Sequence, residues 1–98
     1  MSQVTVKYED GLKASLTNPA EAAAYLNAAL AENDQEIFLL ALRDVAEVRG
    51  FSQVAQGAYL NRENLYRMLS PTENPQLSSL NALLRSIGLR LVIEVESV

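Results

Sequence analysis

The chain has no cysteine and no histidine among its 98 residues. The first absence excludes disulfides and thiolate metal sites, and the second removes the usual proton carrier at neutral pH. Long apolar runs are missing too, so no stretch of about 18 residues is fit to cross a bilayer. The stretch Val4-Thr5-Val6-Lys7-Tyr8-Glu9-Asp10 lacks a basic segment followed by an apolar one. It does not read as a signal peptide, and a cytoplasmic location without membrane contact is expected. There is no glycine-rich phosphate loop and no cluster of metal ligands. The remaining Ser, Thr, Tyr, Lys and carboxylate side chains form no recognisable nucleophile-base arrangement, so neither enzymatic activity nor a cofactor is expected. Glu32, Asp34 and Glu36 surround a helix start, where the positive end of the dipole accounts for them.

Positive charge is scarce as well, with 8 Lys and Arg against 12 Asp and Glu for a net charge of −4. A general nucleic-acid coat protein is thereby disfavoured, because nonspecific affinity for phosphate comes from clustered basic residues. A sequence-specific DNA reader is not, since it needs only a local basic surface. The acidic remainder suits a basic protein partner.

What the sequence does contain is apolar side chain, 49% of the total, enough for one core and one domain with a tail at each end. Val4, Val6 and Tyr8 alternate with polar residues, which fits either a short N-terminal strand or an unstructured arm over residues 1–17. Asn18-Pro19-Ala20-Glu21 then signals a helix start, with Asn18 as N-cap, Pro19 at the first position and Glu21 able to close a capping box. The helix should reach about Glu32 and bury Ala22, Leu26, Ala29 and Leu30. Asp34 should cap a second helix ending at Gly50, in which Ile37, Phe38, Leu40, Ala41, Leu42, Val45, Ala46 and Val48 cover more than half the circumference. Such a helix belongs at the centre of its domain.

Ser52 and Asn61 read as caps of two further short helices, the second reaching about Leu69. Ser70 to Pro75 is a loop, with two prolines among turn formers. Leu77, Leu80, Leu83, Leu84 and Ile87 then repeat at helical spacing up to Gly88. Residues 89–98 finish the chain, and Leu89, Leu91, Ile93 and Val95 alternate there as in a β-strand. A lone strand leaves backbone groups unpaired, so this one needs the N-terminal strand, a second subunit or another protein. It is the first candidate for pairing two subunits, and residues 77–87 are the second.

Two short helices joined by a tight turn among longer ones describe a helix-turn-helix, here over residues 52–69 within a helical domain of residues 18–88. Val54, Ala55, Ala58, Leu60, Leu65 and Met68 fall where the two helices must pack, and Ala55 is small as close approach requires. Gln53, Gln56, Asn61, Arg62, Asn64 and Arg67 are left outside, all able to hydrogen-bond phosphates or base edges. Gln53 is placed for a phosphate, Arg62 or Arg67 for guanine, Asn64 for adenine, and the Tyr66 hydroxyl for a phosphate. The bland reading of these residues is solvated surface, with Asn61 explained as a cap and Tyr66 as packing. The turn carries Tyr59 where glycine is frequent, with Gly57 two residues earlier, which predicts an irregular or strained turn.

Ser52-Gln53-Val54-Ala55 followed by Asn61-Arg62-Glu63-Asn64-Leu65-Tyr66 resembles the addiction-module antidote proteins, HigA-like antitoxins with a lambda-repressor-like helix-turn-helix. Ala24 to Leu30, Asn33-Asp34, Phe38 to Ala46 and Arg49-Gly50 look like that family's first two helices. Asn74-Pro75, Leu80, Leu84 and Gly88-Leu89-Arg90-Leu91 look like its last helix and strand. The resemblance spans roughly residues 16–95. It departs from the pattern at Tyr59, at Asn61 where Ser is usual, and over residues 2–15. It agrees with the mainly α, five-helix fold with a short C-terminal strand read from the residues, and the helix-turn-helix geometry leads to the expectation of a homodimer placing two recognition helices on a palindromic operator. The resemblance also implies neutralisation of a small basic RelE/ParE-like toxin and repression of the chain's own operon. The N-terminal arm and the acidic first helices are the candidate toxin-contacting regions. Two other readings stand beside it: a stand-alone transcriptional regulator, and a protein-interaction module that no longer binds DNA.

Overall fold

The computed structural model of the protein describes residues 15–96. Five helices occur among them: α1 (Pro19–Ala31), α2 (Gln35–Arg49), α3 (Phe51–Gly57), α4 (Arg62–Met68) and α5 (Leu77–Ser86). The mainly helical expectation is met, and the elements follow the local signals closely.

Asn18 caps α1, its Oδ1 accepting from the Ala20 and Glu21 amides at 2.8 and 3.4 Å. The capping box does not close through the Asn18 amide, which donates instead to the Ser15 carbonyl. Asp34 caps α2 through the Glu36 amide at 2.9 Å. The α1–α2 corner is turned by Asn33 at φ +57°, a left-handed position that Asn tolerates better than most residues. Gln35 then ties the start of α2 to the loop before α5, donating to the Glu73 carbonyl and Asn74 Oδ1, both at 2.8 Å.

Gly50 ends α2 with φ +97° and at the same time begins α3. This corrects the expectation that Ser52 caps α3. The helix starts two residues earlier, at Phe51 after a cap at Gly50, and has no side-chain cap, because the turn at Gly50 joins the two helices without a spacer. At the far end, Gly88 (φ +81°) closes α5, and the Gly88 and Leu89 amides return to the Arg85 and Leu84 carbonyls. That pair of bonds is the Schellman motif.

The core runs along α2, where Phe38, Leu39, Ala41, Leu42, Val45 and Ala46 are buried. α1 packs on one side of it and α3 on another, while α3 also meets α4 and α5. Leu39, Leu42, Leu65, Leu69, Leu83 and Val45 are fully enclosed. Together such side chains supply most of the stabilisation, at roughly 1.5–3 kcal/mol each.

Four apolar residues assigned to helix faces by periodicity are exposed: Leu30 (47%), Ile37 (40%), Leu40 (43%) and Leu77 (64%). Periodicity names the side of a helix that faces the domain, whereas the width of the covered stripe depends on which neighbours exist. At the N-terminal side the core begins earlier than expected. Ser15 and Leu16 are helical, and Leu16 is 2% exposed within the core, so these residues do not belong to an arm. The proposed strand at Val4 to Tyr8 lies outside the described residues. Among the described residues no C-terminal strand is formed: residues 89–96 have no regular secondary structure. A strand is completed by hydrogen bonds to a neighbour, and none is available among the described residues.

Candidate nucleic-acid interface

α3 and α4 are joined by a turn of four residues, 58–61, and its geometry follows from where the chain must go. The Tyr59 amide donates to the Gln56 carbonyl at 3.2 Å and the Leu60 amide to the Ala55 carbonyl at 2.8 Å. These are the same two Schellman bonds that end α5, with Tyr59 taking the place of Gly88. Tyr59 accordingly has φ +59°, the strained turn residue that the sequence predicts, and its ring is 96% exposed. Leu60 then turns inward, half-buried against the core. Asn61 starts α4, its Oδ1 accepting from the Asn64 amide at 2.7 Å.

The seam between the helices matches the expected packing set. Val54, Ala55, Ala58 and Leu65 are buried, and Leu60 and Met68 are half-buried. Gly57, at the end of α3, lies close against α5. A Cβ built on it would stand 2.9 Å from the Ser86 Cβ of α5. The orientation of the whole α3–α4 unit on α5 thus depends on a missing methyl group.

Of the seven residues singled out in the sequence, Gln53, Gln56, Asn61, Arg62 and Arg67 are exposed, while Asn64 and Tyr66 are half-buried. α4 brings four of them together: Arg67 donates to Asn64 Oδ1 at 2.9 Å, and Arg62 donates to the Tyr66 hydroxyl at 3.5 Å. Gln53 and Gln56 stand apart on α3. Tyr66 serves chiefly as packing, its ring stacked on Phe51 with centroids 4.1 Å apart and an angle of 21°. That contact fastens α4 to the start of α3.

One basic residue at this surface was not legible in the motif. Arg43 of α2 places its guanidinium 5.3 Å from the centre of the Tyr66 ring, and Arg62 places its own at 5.6 Å. Cations so placed interact favourably with the ring face. Arg43 also pairs with Glu47 one turn on, at 3.4 Å. Because it lies on a helix read as core, far from the motif in sequence, no spacing signal marks it. It adds a third guanidinium to a surface whose own charges are Arg62, Glu63 and Arg67.

Among the described residues no group of three or more acidic side chains is placed to hold a metal ion, and no helix is long and apolar enough to cross a membrane. The surface offers the amide side chains of Asn61 and Asn64 and the guanidinium groups of Arg62 and Arg67, on a short helix and its cap.

Residues 9–95 match the family model described as "Probable addiction module antidote protein". Among curated proteins, an uncharacterized protein of Haemophilus influenzae is 37% identical over 79 residues, which is 81% of this chain and 81% of that protein. No solved structure matches the chain. With nearly its whole length covered by that family model, the chain belongs to the probable addiction module antidote protein family.

Proposed function

We propose that the protein is the antitoxin of a type II toxin-antitoxin pair, and that α3 and α4 form a helix-turn-helix through which it represses its own operon. The role is one of binding without catalysis, in the cytoplasm. Its toxin is a small basic protein of RelE/ParE type. Membership of an antidote family supports the toxin partner, and the α3–α4 geometry supports the DNA partner. The observation that carries the second part is the Schellman turn at Tyr59. It directs the chain from α3, anchored in the core by Phe51, Val54 and Ala55, into a short α4 that carries Arg62, Asn64 and Arg67 after the Asn61 cap.

In this arrangement α4 is the recognition helix and enters the major groove by its N-terminal half. Arg62 and Arg67 are the bidentate donors for guanine, and the Arg67–Asn64 contact orders both side chains before DNA arrives. Gln53 and Gln56 on α3 contact the phosphate backbone and fix the register. Arg43 reinforces the phosphate side. Two such units, paired through residues 89–96, place their recognition helices about 34 Å apart on a palindromic operator.

A gel-shift titration of the purified protein on DNA from upstream of its own gene, at low and moderate salt, tests the DNA half. Arg62→Ala and Arg67→Ala should each lower affinity by about 1–3 kcal/mol, roughly 5- to 150-fold. Wild-type protein that shifts nothing at low salt would leave a protein-interaction module instead, and variants that bind as wild type does would remove Arg62 and Arg67 from the DNA contact.

A further inference from the structure

α1 and α2 form a helical hairpin, closed at one end by the corner at residues 32–34 and braced toward the other by the Tyr25 hydroxyl, which donates to Asp44 Oδ2 at 2.7 Å. Between these ends lies a groove of about 330 Å³. Its floor is shallow because the residues facing each other there are alanines, among them Ala28 and Ala41. Ile37 and Leu40 stand along its wall, 40% and 43% exposed, although they belong to the helix that contributes most side chains to the core. Carboxylates mark its two ends, Glu32 at the corner and Asp44 beside Tyr25. Among the described residues neither is in an ion pair. The pattern along the groove is therefore acid, apolar trough, acid.

We infer that this groove is the docking site for a basic amphipathic segment of the protein partner. An apolar side chain of that segment fills the alanine trough against Leu40, and a Lys or Arg on either side of it reaches Glu32 and Asp44. The inference deepens the antitoxin reading, and rests on it, by naming the face that takes the toxin. The charges select this occupant over the others available. A second copy of the chain would bring the same carboxylates up against their equivalents, and like charges brought together across an interface cost several kcal/mol. Residues 1–14 of the chain itself carry Lys7 and Lys13 balanced by Glu9 and Asp10, so they have no excess positive charge to offer. DNA is repelled by both ends. Leu40 and its trough are small, but a buried apolar anchor surrounded by charges that exclude water is how few residues dominate an interface.

The test uses the full chain and the purified small basic protein encoded beside it. Leu40→Arg and Glu32→Arg are titrated with that protein by calorimetry, and a photo-crosslinking phenylalanine at position 40 maps what touches the trough. Both substitutions are at exposed positions, so thermal stability and operator shift should stay at the wild-type level. Partner affinity should fall by about an order of magnitude or more, and the cross-link should map to a basic-apolar stretch of the partner. If wild-type chain does not bind the partner at all, the antitoxin reading fails and this inference with it. If wild type binds and Leu40→Arg binds equally well, the reading stands and the groove is wrong. A cross-link to residues 1–14 or to a second copy likewise overturns the groove assignment.

Discussion

Replacing Gly57 by Ala should destabilise the protein, and the expected size can be worked from one distance. The added Cβ would sit 2.9 Å from the Ser86 Cβ, with the Ser86 Cα at 3.7 Å. Carbon atoms in contact prefer about 3.5–4.0 Å. Relief therefore requires α3 and α5 to separate by several tenths of an ångström, and neither atom lies at the free end of a side chain that could swing away. Overpacking of this kind costs about 1–3 kcal/mol. Against it stands the helix preference of Ala over Gly, about 0.5–1 kcal/mol in a helix interior and less at a last turn. The net expectation is a loss of about 0.5–2 kcal/mol. For a domain of this size each kcal/mol corresponds to about 4–8 °C in Tm. Urea unfolding followed by circular dichroism measures it directly. The mechanism is tested by the partner residue. Ser86→Ala keeps the offending Cβ and should show no coupling with Gly57→Ala, whereas Ser86→Gly removes it and should restore most of the loss in a double-mutant cycle. A Gly57→Ala protein as stable as wild type, or equal rescue by Ser86→Ala, would refute the close-approach argument.

Three further outcomes are expected. Tyr59→Gly should stabilise the protein by about 0.5–1 kcal/mol, because a left-handed conformation costs a non-glycine residue about 1–2 kcal/mol, glycine gives part of that back as chain entropy, and the exposed ring loses no packing; a lower midpoint in urea would contradict this. Asn61→Ala should cost about 0.5–2 kcal/mol of stability through loss of the cap on the Asn64 amide, while Asn61→Asp should keep most of it. Comparing the two in gel shifts separates the structural role of Asn61 from any contact with DNA. Truncation after Arg90 should give monomers in sedimentation velocity and a much weaker operator complex. A truncated chain that remains dimeric would move the pairing surface to α5.

The helix starts and stops were legible because capping is a local matter. Asn18, Asp34 and Asn61 each accept a bond from an amide two or three residues on, and Gly50 and Gly88 take the positive φ values that end α2 and α5. Tyr59 was legible for the same reason, since its strain is a property of a turn only a few residues long. Ser52 misled because a capping residue type is no signal when the preceding glycine already makes the turn. The polar set on α4 was legible as a set, and so was packing as one role for Tyr66; its partner was not, because the stacking on Phe51 joins two different helices.

Local chemistry thus determined the number of helices, their ends, the strained turn and the outward face of α4, because each depends on residues within a turn or two of one another. Tertiary structure alone decided the rest. It left Ile37 and Leu40 at the surface beside an alanine-floored groove, since exposure depends on which helices are present to cover a face. It brought Arg43 from α2 to the Tyr66 ring. It also left residues 89–96 without a strand despite their alternation, because period-two patterning supplies side chains for a sheet but not the second backbone that completes one.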